Sequence, residues 1–179
     1  MIRRWWARVV TVLVVALVVH LVVIAAAPPV IMSVAARRIE DKAGGTNVWL
    51  HAERVTPQTQ EVVRSSPDLA YSACVWDLSD GPVRISAPAW DDYFSLSLYD
   101  NRTNNFLVAN DRGKSGAGAD LLLATRDQAA DLTSTDGLRI IAAPSPTGIA
   151  LLRYLAPTSS AFARADALRR SAVCHAQSP

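Results

Sequence analysis

Five polar residues in two stretches of the chain are the strongest candidates for a reactive or ligand-binding site. The run RSSPDLAYSACVWDLSDGP (64–82) contains Arg64, Asp68 and Tyr71, and the run YDNRTNN (99–105) contains Asp100 and Asn104. Charged, phenolic and amide groups of this kind serve enzymes and polar binding sites when neighbouring strand ends bring them together. The same residue types also hold turns through hydrogen bonds to the local backbone. The five residues therefore fit either a polar site or a pair of ordinary turns.

Outside these stretches the sequence has none of the standard motifs for a cofactor or a metal. The run GKSGAG (113–118) lacks the leading GxxxxG spacing of a phosphate-binding loop. His175 beside Cys174 is one pair of metal-binding side chains with no second pair at ligand spacing. No histidine has a recognisable motif that would activate Cys74 as a nucleophile. We therefore predict no cofactor and no metal site.

The charge of the chain is concentrated at its N-terminus. The formal net charge is +2, and without Arg3, Arg4 and Arg8 it becomes −1. A nucleic-acid-binding domain usually presents a clustered basic patch. The remaining sequence has no such patch, so we predict no nucleic-acid partner.

Alternating polar and apolar residues predict a domain built mainly from β-strands. In DYFSLSLYD (92–100) the apolar Phe94, Leu96 and Leu98 fall on one face and the serines on the other, which predicts a half-buried strand. Segment 159–174 has helical spacing, with Ser159 or Ser160 as its N-cap. We predict a mainly β (α+β) fold, with a small antiparallel β-sandwich or jelly-roll-like domain closed by a C-terminal helix. The other predicted strands are YSACVWDL (71–78), VRISAP (83–88), NNFLVAN (104–110), DLLLAT (120–125), LRIIAA (138–143) and IALLRYL (149–155).

The N-terminal segment is typical of a membrane anchor. The run from Val9 to Ala27 has no charged residue; as a helix it would be roughly 28 Å long, close to the ~30 Å of a bilayer's hydrocarbon core. Trp5 and Trp6 suit the lipid–water interface, and the flanking arginines favour a cytoplasmic N-terminus. A cleaved signal peptide is the alternative, because three alanines end the run. The length of the run and the two prolines after it favour an uncleaved anchor.

The region after the apolar run predicts a second, short helix. Pro28 and Pro29 would kink or restart the chain, and Gly44 and Gly45 would end the new helix. Its apolar positions are Val30, Ile31, Val34, Ala35 and Ile39. The predicted organisation is a cytoplasmic flank and transmembrane anchor (1–28), a juxtamembrane helix or linker (29–45) and an extracytoplasmic β-rich domain (46–179).

The two cysteines, Cys74 and Cys174, are separated by most of this domain. In an oxidising compartment they would pair and close a loop of about 100 residues, worth up to ~4.7 kcal/mol in the chain-entropy model. In a reducing compartment they would be two buried thiols. Both interpretations fit the sequence.

Three segments in order resemble the DUF1254 family, whose function is unknown. They are RSSPDLAYSACVWDLSDGPV (64–83), YFSLSLYDNRTNNF (93–106) and IALLRYLAP (149–157). Ser65–Ser66 and Leu69–Ala70 depart from the family pattern, and the chain stops where larger members carry a second β-rich domain. The resemblance implies a β-rich sandwich or jelly roll and no particular reaction. The matching positions are Arg64, Asp68, Tyr71, Ser72, Asp77, Leu78, Ser79, Pro82, Val83, Asp100, Thr103, Asn104, Asn105 and Phe106.

Three functions are consistent with these features. The first is a membrane-anchored binding or interaction module, single-pass in the inner membrane of a bacterium with its C-terminal domain in the periplasm. The second is an enzyme of unassigned, hydrolase-like class that uses the polar cluster at the strand ends. The third is half of a split protein, completed by a partner chain that carries the second domain. The expected partners are the lipid bilayer and a partner protein; the ligand is unknown.

Overall fold

The structure is a computed structural model, and it describes residues 2–59, 65–112, 118–133 and 138–177. In these ranges the chain forms three helices and nine strands. In chain order they are α1 (Ile2–Ala43), β1 (Trp49–His51), β2 (Leu69–Asp77), β3 (Val83–Ala87), β4 (Phe94–Asp100), β5 (Asn105–Asn110), β6 (Ala119–Ala124), α2 (Arg126–Asp131), β7 (Arg139–Ala142), β8 (Thr147–Leu155), α3 (Ser159–Arg169) and β9 (Val173–Ala176).

The strands form two sheets that enclose one core. Sheet A has the order β1-β2-β8-β4-β5 and is antiparallel throughout. Sheet B has the order β7-β6-β3-β9, and its β6–β7 pair is parallel. A parallel pair needs a crossover connection, and the short helix α2 lies in that connection. The predicted α+β fold with a β-rich domain and a C-terminal helix is confirmed, with one parallel pair in an otherwise antiparallel architecture.

Alternation along the central strands sends one set of side chains into the core between the sheets. On β2 these are Ala70, Ser72, Cys74 and Trp76, each at most 1% exposed. Gly148 on β8 pairs with Trp76 across the strands. A Cβ atom at Gly148 would lie 2.4 Å from Trp76 Cζ2 and 2.2 Å from the carbonyl oxygen of Tyr99. The indole occupies the space of the missing side chain, so only glycine fits there.

Strand β4 is buried on both faces, so the prediction of a half-buried strand is wrong. Ser95 and Ser97 point away from the core between the sheets, yet they are 2% and 0% exposed. The side chain of Arg153, from the neighbouring strand β8, reaches over β4 and donates a hydrogen bond from Nη2 to Ser97 Oγ (3.0 Å). The sequence of β4 alone does not show that a side chain from another strand covers its outer face.

Helix α1 is continuous from Ile2 to Ala43 and passes through Pro28 and Pro29 without a break. The predicted anchor and the predicted juxtamembrane helix therefore belong to one continuous helix. The two prolines remove two backbone donors, but the helix continues into a segment that packs on the outer face of sheet A. That packing involves Met32, Ala35, Ala36 and Ile39 of α1 with Val75, Tyr99 and Ile149 of the sheet.

Of the five apolar positions predicted for this segment of α1, Ala35 and Ile39 contact the domain. Val30, Ile31 and Val34 are 57%, 62% and 45% exposed, whereas Met32 is 7% exposed. Helical geometry puts residues 32, 35, 36 and 39 on one stripe, and this stripe covers the apolar residues on the outer face of sheet A.

The end of α1 is fixed to sheet A by a short, well-bonded turn. The N–H groups of Gly44 and Gly45 donate to the carbonyl of Glu40, with Gly44 at φ +82°, so the predicted glycine stop is confirmed. Asn47 follows at φ +59°, a conformation that asparagine tolerates better than most residues. Its amide bonds both the N–H (2.9 Å) and the carbonyl (3.0 Å) of Asp77. The helix and strand β2 are thus joined at the helix C-terminus.

The N-cap of helix α3 lies one residue before the predicted ones, and the helix ends earlier than predicted. Thr158, rather than Ser159 or Ser160, is the N-cap, because its Oγ1 accepts from the N–H of Ala161. The chain then turns into β9, which pairs with β3. Cys174 therefore lies on a strand of sheet B, joined by a disulfide to Cys74 on β2 of sheet A.

Candidate functional site

The structure does not bring the five predicted site residues together. Arg64 lies outside the described residues. Asp68 and Tyr71 lie at the start of β2. Asp100 of β4 pairs with Gly148 of β8, which pairs in turn with Trp76 near the other end of β2. Trp76 is eight residues along the chain from Asp68 and five from Tyr71, which correspond to about 26 Å and about 16 Å of extended strand. The predicted single cluster at neighbouring strand ends is therefore wrong for the residues that the structure describes.

Asp100 and Asn104 organise the turn between β4 and β5. Asp100 Oδ1 accepts from the N–H groups of Arg102 and Asn104, and Oδ2 accepts from Asn104 Nδ2, all at 2.8 Å. Burial acts to raise the pKa of Asp100, but the hydrogen bonds from Asn104 and Arg102 outweigh it and hold this pKa below its usual value. The bonds also support Thr103 at φ +68°. This carboxylate has its hydrogen bonds within the turn, and its role there is structural.

Tyr71 has a different setting, on the outer face of sheet A. Its Oη accepts a hydrogen bond from the N–H of Ser66 (3.0 Å), and it is the register partner of Arg153 on β8. Asp68 is exposed, and its carbonyl accepts from the N–H of Ala156. Tyr71 is therefore the predicted site residue that lies beside an unusual polar group, Arg153.

Arg153, Ser95 and Ser97 form a polar cluster in the middle of this outer face, which we call the Arg153 site. Arg153 pairs with Ser95 across β8 and β4, and the side chains of these residues lie on the same side of the sheet. Nη2 of Arg153 bonds Ser97. The Nε of Arg153 and the Oγ of Ser95 are both buried and have no hydrogen-bond partner in the part of the chain that the structure describes.

The charge of Arg153 is also uncompensated by the described residues. The ion pairs found among them join Arg84 to Asp120, and Arg169 and Arg170 to Asp166. A buried donor without a partner, and a charge without a counterion, are both unfavourable. An anionic group on the outer face of sheet A would compensate the charge of Arg153.

The sequence contains a signal for this site that belongs to no standard motif. Arg153 is the one charged residue of IALLRYL, where it alternates with the buried Leu152 and Tyr154. A lone charge on an otherwise apolar central strand places that charge on the second face of the sheet. Its partners Ser95 and Ser97 belong to β4, and register between distant strands is not visible in the sequence.

A hydrogen-bonded serine–histidine pair lies on the inner face of sheet A, and it too escapes the sequence motifs. His51 Nδ1 and Ser72 Oγ are 2.8 Å apart. Ser72 is 1% exposed, so its hydroxyl has no access for a substrate. Burial lowers the pKa of His51, Arg169 and Arg170 lower it further, and Asp166 opposes them. The pair has the residue types of a catalytic dyad, but it is buried like an ordinary contact in the core.

The depressed pKa of His51 makes the stability of the domain depend on pH. The unfolded chain binds a proton near pH 6.5, whereas the folded chain resists it, so unfolding is favoured as the pH falls. We expect the free energy of unfolding to be fully retained above about pH 6.5 and to decline below it, towards the lower pKa of the folded state. Tryptophan fluorescence of the full-length protein in detergent, followed in urea from pH 7.5 to 5, measures this slope.

Two glutamine variants assign the slope to its residue. His51→Gln keeps a hydrogen-bonding partner for Ser72 and should flatten the dependence between pH 7 and 5. His175→Gln, at an exposed histidine, should leave it intact. An unchanged slope in His51→Gln would refute the assignment.

None of the described residues form a group of three or more histidine, cysteine, aspartate or glutamate side chains that could hold a metal ion.

The fold and this site define a class of protein: a β-sandwich attached to a long apolar helix, with an arginine on the outer face of one sheet that forms no ion pair with the described residues. The model of a family described as "Protein of unknown function (DUF1254)" matches residues 46–176. The chain belongs to the DUF1254 family, as the sequence resemblance predicts. No curated protein matches the chain.

Two solved structures are similar to this chain. The VPA0106 protein of Vibrio parahaemolyticus matches with a TM-score of 0.57 and 15% identity, over 64% of this chain and 31% of the other. An uncharacterized protein of Burkholderia cenocepacia matches with a TM-score of 0.47 and 14% identity, over 69% of this chain and 35% of the other. The chain thus spans about a third of the length of each. The first likeness supports the fold and carries no function.

The apolar part of α1 has the length and composition of a membrane span. A signal sequence near an N-terminus meets the same criteria. The structure therefore supports an apolar N-terminal helix of either kind, a membrane anchor or a signal sequence.

Proposed function

We propose that this protein is a membrane-anchored binding domain whose ligand carries an anionic group that pairs with Arg153. The observation that carries the proposal is the position of Arg153, a partly exposed arginine on the outer face of sheet A that has no ion-pair partner among the described residues. A charge without a counterion is unfavourable, and an anionic ligand would supply one.

Three features support anchoring of the domain outside the cytoplasm. The helix is regular through the alanines that would mark a cleavage site and continues into the segment packed on sheet A. Cleavage there would cut a continuous helix. The arginines before the span favour a cytoplasmic N-terminus, and the disulfide between Cys74 and Cys174 suits an oxidising compartment such as the periplasm.

The VPA0106 protein, whose fold is similar, is about twice as long as this chain, so a split protein completed by a partner chain is the second candidate. A partner chain would bury a sheet face by apolar contact, but Arg153 places an uncompensated charge in the middle of the outer face of sheet A. A small anionic ligand satisfies that charge directly, so we favour it over a protein partner. The hydrolase-like alternative gains no support, because the predicted cluster at the strand ends is not assembled among the described residues.

Native mass spectrometry of the full-length protein, purified from membranes in mild detergent, tests the proposal. We expect a discrete bound small molecule on the wild type, lost in Arg153→Met. Arg84→Met is the matched control, because Arg84 also lies on a strand but is paired with Asp120, and it should keep the molecule. A stoichiometric protein partner in place of a small molecule would favour the split-protein function. Wild type without any bound molecule would contradict a binding function.

A further inference from the structure

We infer that strand β5, the edge of sheet A, lies in the phospholipid headgroup layer of the membrane that holds α1. This inference rests on the anchoring proposed above and goes beyond it, because it gives the domain a second contact with the bilayer. The contact consists of the exposed Val108 within β5 and of Arg102 and Arg112, just before and just after the strand.

Helix α1 crosses the strands of sheet A, and its N-terminal part leaves the sheet on the β5 side. The sheet residues beneath it form one row, because Val75 and Tyr99 both pair with Ile149. The stripe Met32–Ile39 is about 10 Å long, which matches two strand spacings of about 4.8 Å, from β2 to β4. The C-terminal end of α1 is at β2, since the N–H of Asn47 donates to the carbonyl of Val75 (2.7 Å). Towards the membrane, α1 therefore passes over β4 and then β5.

The position of the bilayer along α1 places β5 at the level of the headgroups. The hydrocarbon core takes about 20 residues of helix, so a span that begins after the interfacial Trp6 ends near Ala27. The headgroup layer adds about 5–8 Å on each side, which is about four residues of helix. Strand β5 lies one strand spacing beyond β4, or about three helix residues before Met32. That level is close to Pro29, within the headgroup layer.

Exposed apolar side chains of α1 and of β5 lie at this level. Val30 and Ile31 of α1 are 57% and 62% exposed, and Val108 of β5 is 53% exposed. Val108 pairs with Ser97, two residues along β4 from Tyr99, so it lies on the outer face of sheet A about 7 Å from the row beneath the helix. The interfacial region of a bilayer accepts apolar side chains that water does not. The membrane would therefore cover both groups together.

The two arginines beside β5 suit the phosphate groups of lipids. Arg102 and Arg112 are exposed, and neither forms an ion pair with the residues that the structure describes. Because α1 crosses the strands, β5 runs along the membrane surface and holds both side chains near one depth. Arginine binds phosphate through paired hydrogen bonds. Asp111 and the buried Asp100 balance the two charges, so the guanidinium groups rather than a net charge would select the phosphates.

Three exposed valines of the full-length protein measure the depth of each part. Val30 lies on α1, Val108 on β5, and Val48, 45% exposed, beside β1 at the opposite edge of sheet A. Both native cysteines are in the disulfide, so a bimane maleimide labels only a cysteine introduced at one of these positions. The labelled proteins are placed in phosphatidylcholine nanodiscs with and without a phosphatidylcholine that carries a nitroxide on its headgroup.

We expect Val30→Cys and Val108→Cys to lose more than half of their bimane fluorescence to the nitroxide lipid. Val48→Cys should keep its fluorescence, because β1 is four strand spacings, about 19 Å, from β5. Asn105→Cys, at another exposed position of β5, gives the same readout if Val108→Cys does not fold. In the Val108→Cys background, Arg102→Gln/Arg112→Gln should weaken the quenching; unchanged quenching would refute the contact of the arginines with phosphate.

The valine at position 30 separates failure of this inference from failure of the anchor. Quenching at Val30 without quenching on β5 would overturn the inference and leave the anchored state intact. Equal quenching at Val48 and Val108 would also overturn it, since the domain would then present no preferred edge to the lipid. No quenching at any of the three positions would refute the anchoring itself. Absence of a bound molecule in native mass spectrometry refutes ligand binding and leaves the membrane contact of β5 standing.

Discussion

Reduction of the Cys74–Cys174 disulfide is expected to lower the free energy of unfolding of the domain by about 2–5 kcal/mol. The two residues are 100 positions apart, so the cross-link closes a loop that contains most of the domain. In the chain-entropy model such a loop restricts the unfolded chain by about 4.7 kcal/mol. The corresponding fall in melting temperature is roughly 10 °C. Small domains have a total stability of about 5–15 kcal/mol, so this one bond is a large fraction of it.

The position of the bond gives a structural reason for a large effect. Cys74 is on β2 of sheet A and Cys174 on β9 of sheet B, so the bond links the two sheets. Strand β9 has four residues and pairs on one side with β3. Reduction should therefore loosen β9 and the C-terminal segment first, which hydrogen exchange would show as loss of protection at residues 173–176.

The measurement is urea unfolding of the full-length protein in detergent, with and without a phosphine reductant, followed by tryptophan fluorescence, to which the fully buried Trp76 contributes. The double variant Cys74→Ala/Cys174→Ala is the control: its midpoint should match that of the reduced wild type and should not respond to the reductant. If the reductant leaves the wild-type midpoint unchanged, the cross-link is absent from the purified protein or has no effect on its stability. Labelling of free thiols in intact cells then separates these two cases.

The alternating patterns predict the sheet-forming segments well, because alternation is a local property. The seven predicted strands correspond to β2–β8, within a few residues at each end. The sequence does not predict β1 and β9, which have three and four residues, too few to establish a period. Helix α2 is equally short, and its one local signal is the capping box formed by Thr125 and Gln128.

The local sequence pattern cannot predict whether the outer face of a strand, which points away from the core, is exposed or covered. Whether Ser95 and Ser97 face water depends on Arg153, which is 56 residues from Ser97 in the chain. Whether Val75 and Ile149 are exposed depends on Met32 and the rest of the stripe on α1. A period of two assigns residues to a face, and only the tertiary structure shows what covers that face.

For the candidate site residues too, the local sequence predicts the turns, and only the tertiary structure shows which residues lie together. Tyr71 lies beside a polar residue, because it is the register partner of Arg153. Asp100 and Asn104 are correctly identified as turn residues by the alternative interpretation of their sequence, since a short Asp–Asn spacing favours bonds to nearby backbone. Their grouping with Asp68 and Tyr71 fails, because strand ends that look adjacent in the sequence lie at opposite ends of sheet A.

Replacement of Arg169 by methionine is the second large effect that we expect, a loss of about 3–5 kcal/mol of unfolding free energy. Arg169 is 1% exposed although it is charged. Its guanidinium donates to the carbonyl oxygens of Tyr71 and Ala52, and to Asp166 Oδ1 from Nε at 2.9 Å. These contacts join α3 to the β1–β2 edge of sheet A, and the guanidinium carbon also lies 5.2 Å from the ring centroid of Phe162. Methionine preserves most of the apolar volume, so the loss comes from the hydrogen bonds and the charge rather than from a cavity.

Arg170 provides a matched control, because it pairs with the same carboxylate from the surface. Its Nη2 lies 2.9 Å from Asp166 Oδ2, and its side chain is 64% exposed. An exposed ion pair contributes at most about 1 kcal/mol, so Arg170→Met should change the urea midpoint of the full-length protein little. Arg169→Met leaves the carbonyl of Ala52 without the donor that Arg169 supplies, and it leaves Asp166 with Arg170 alone. Equal effects of the two variants would mean that the pair with Asp166, which both arginines share, determines the stability of α3. A large effect of Arg169→Met alone would show that the buried bonds to the β1–β2 edge hold the helix on the sandwich.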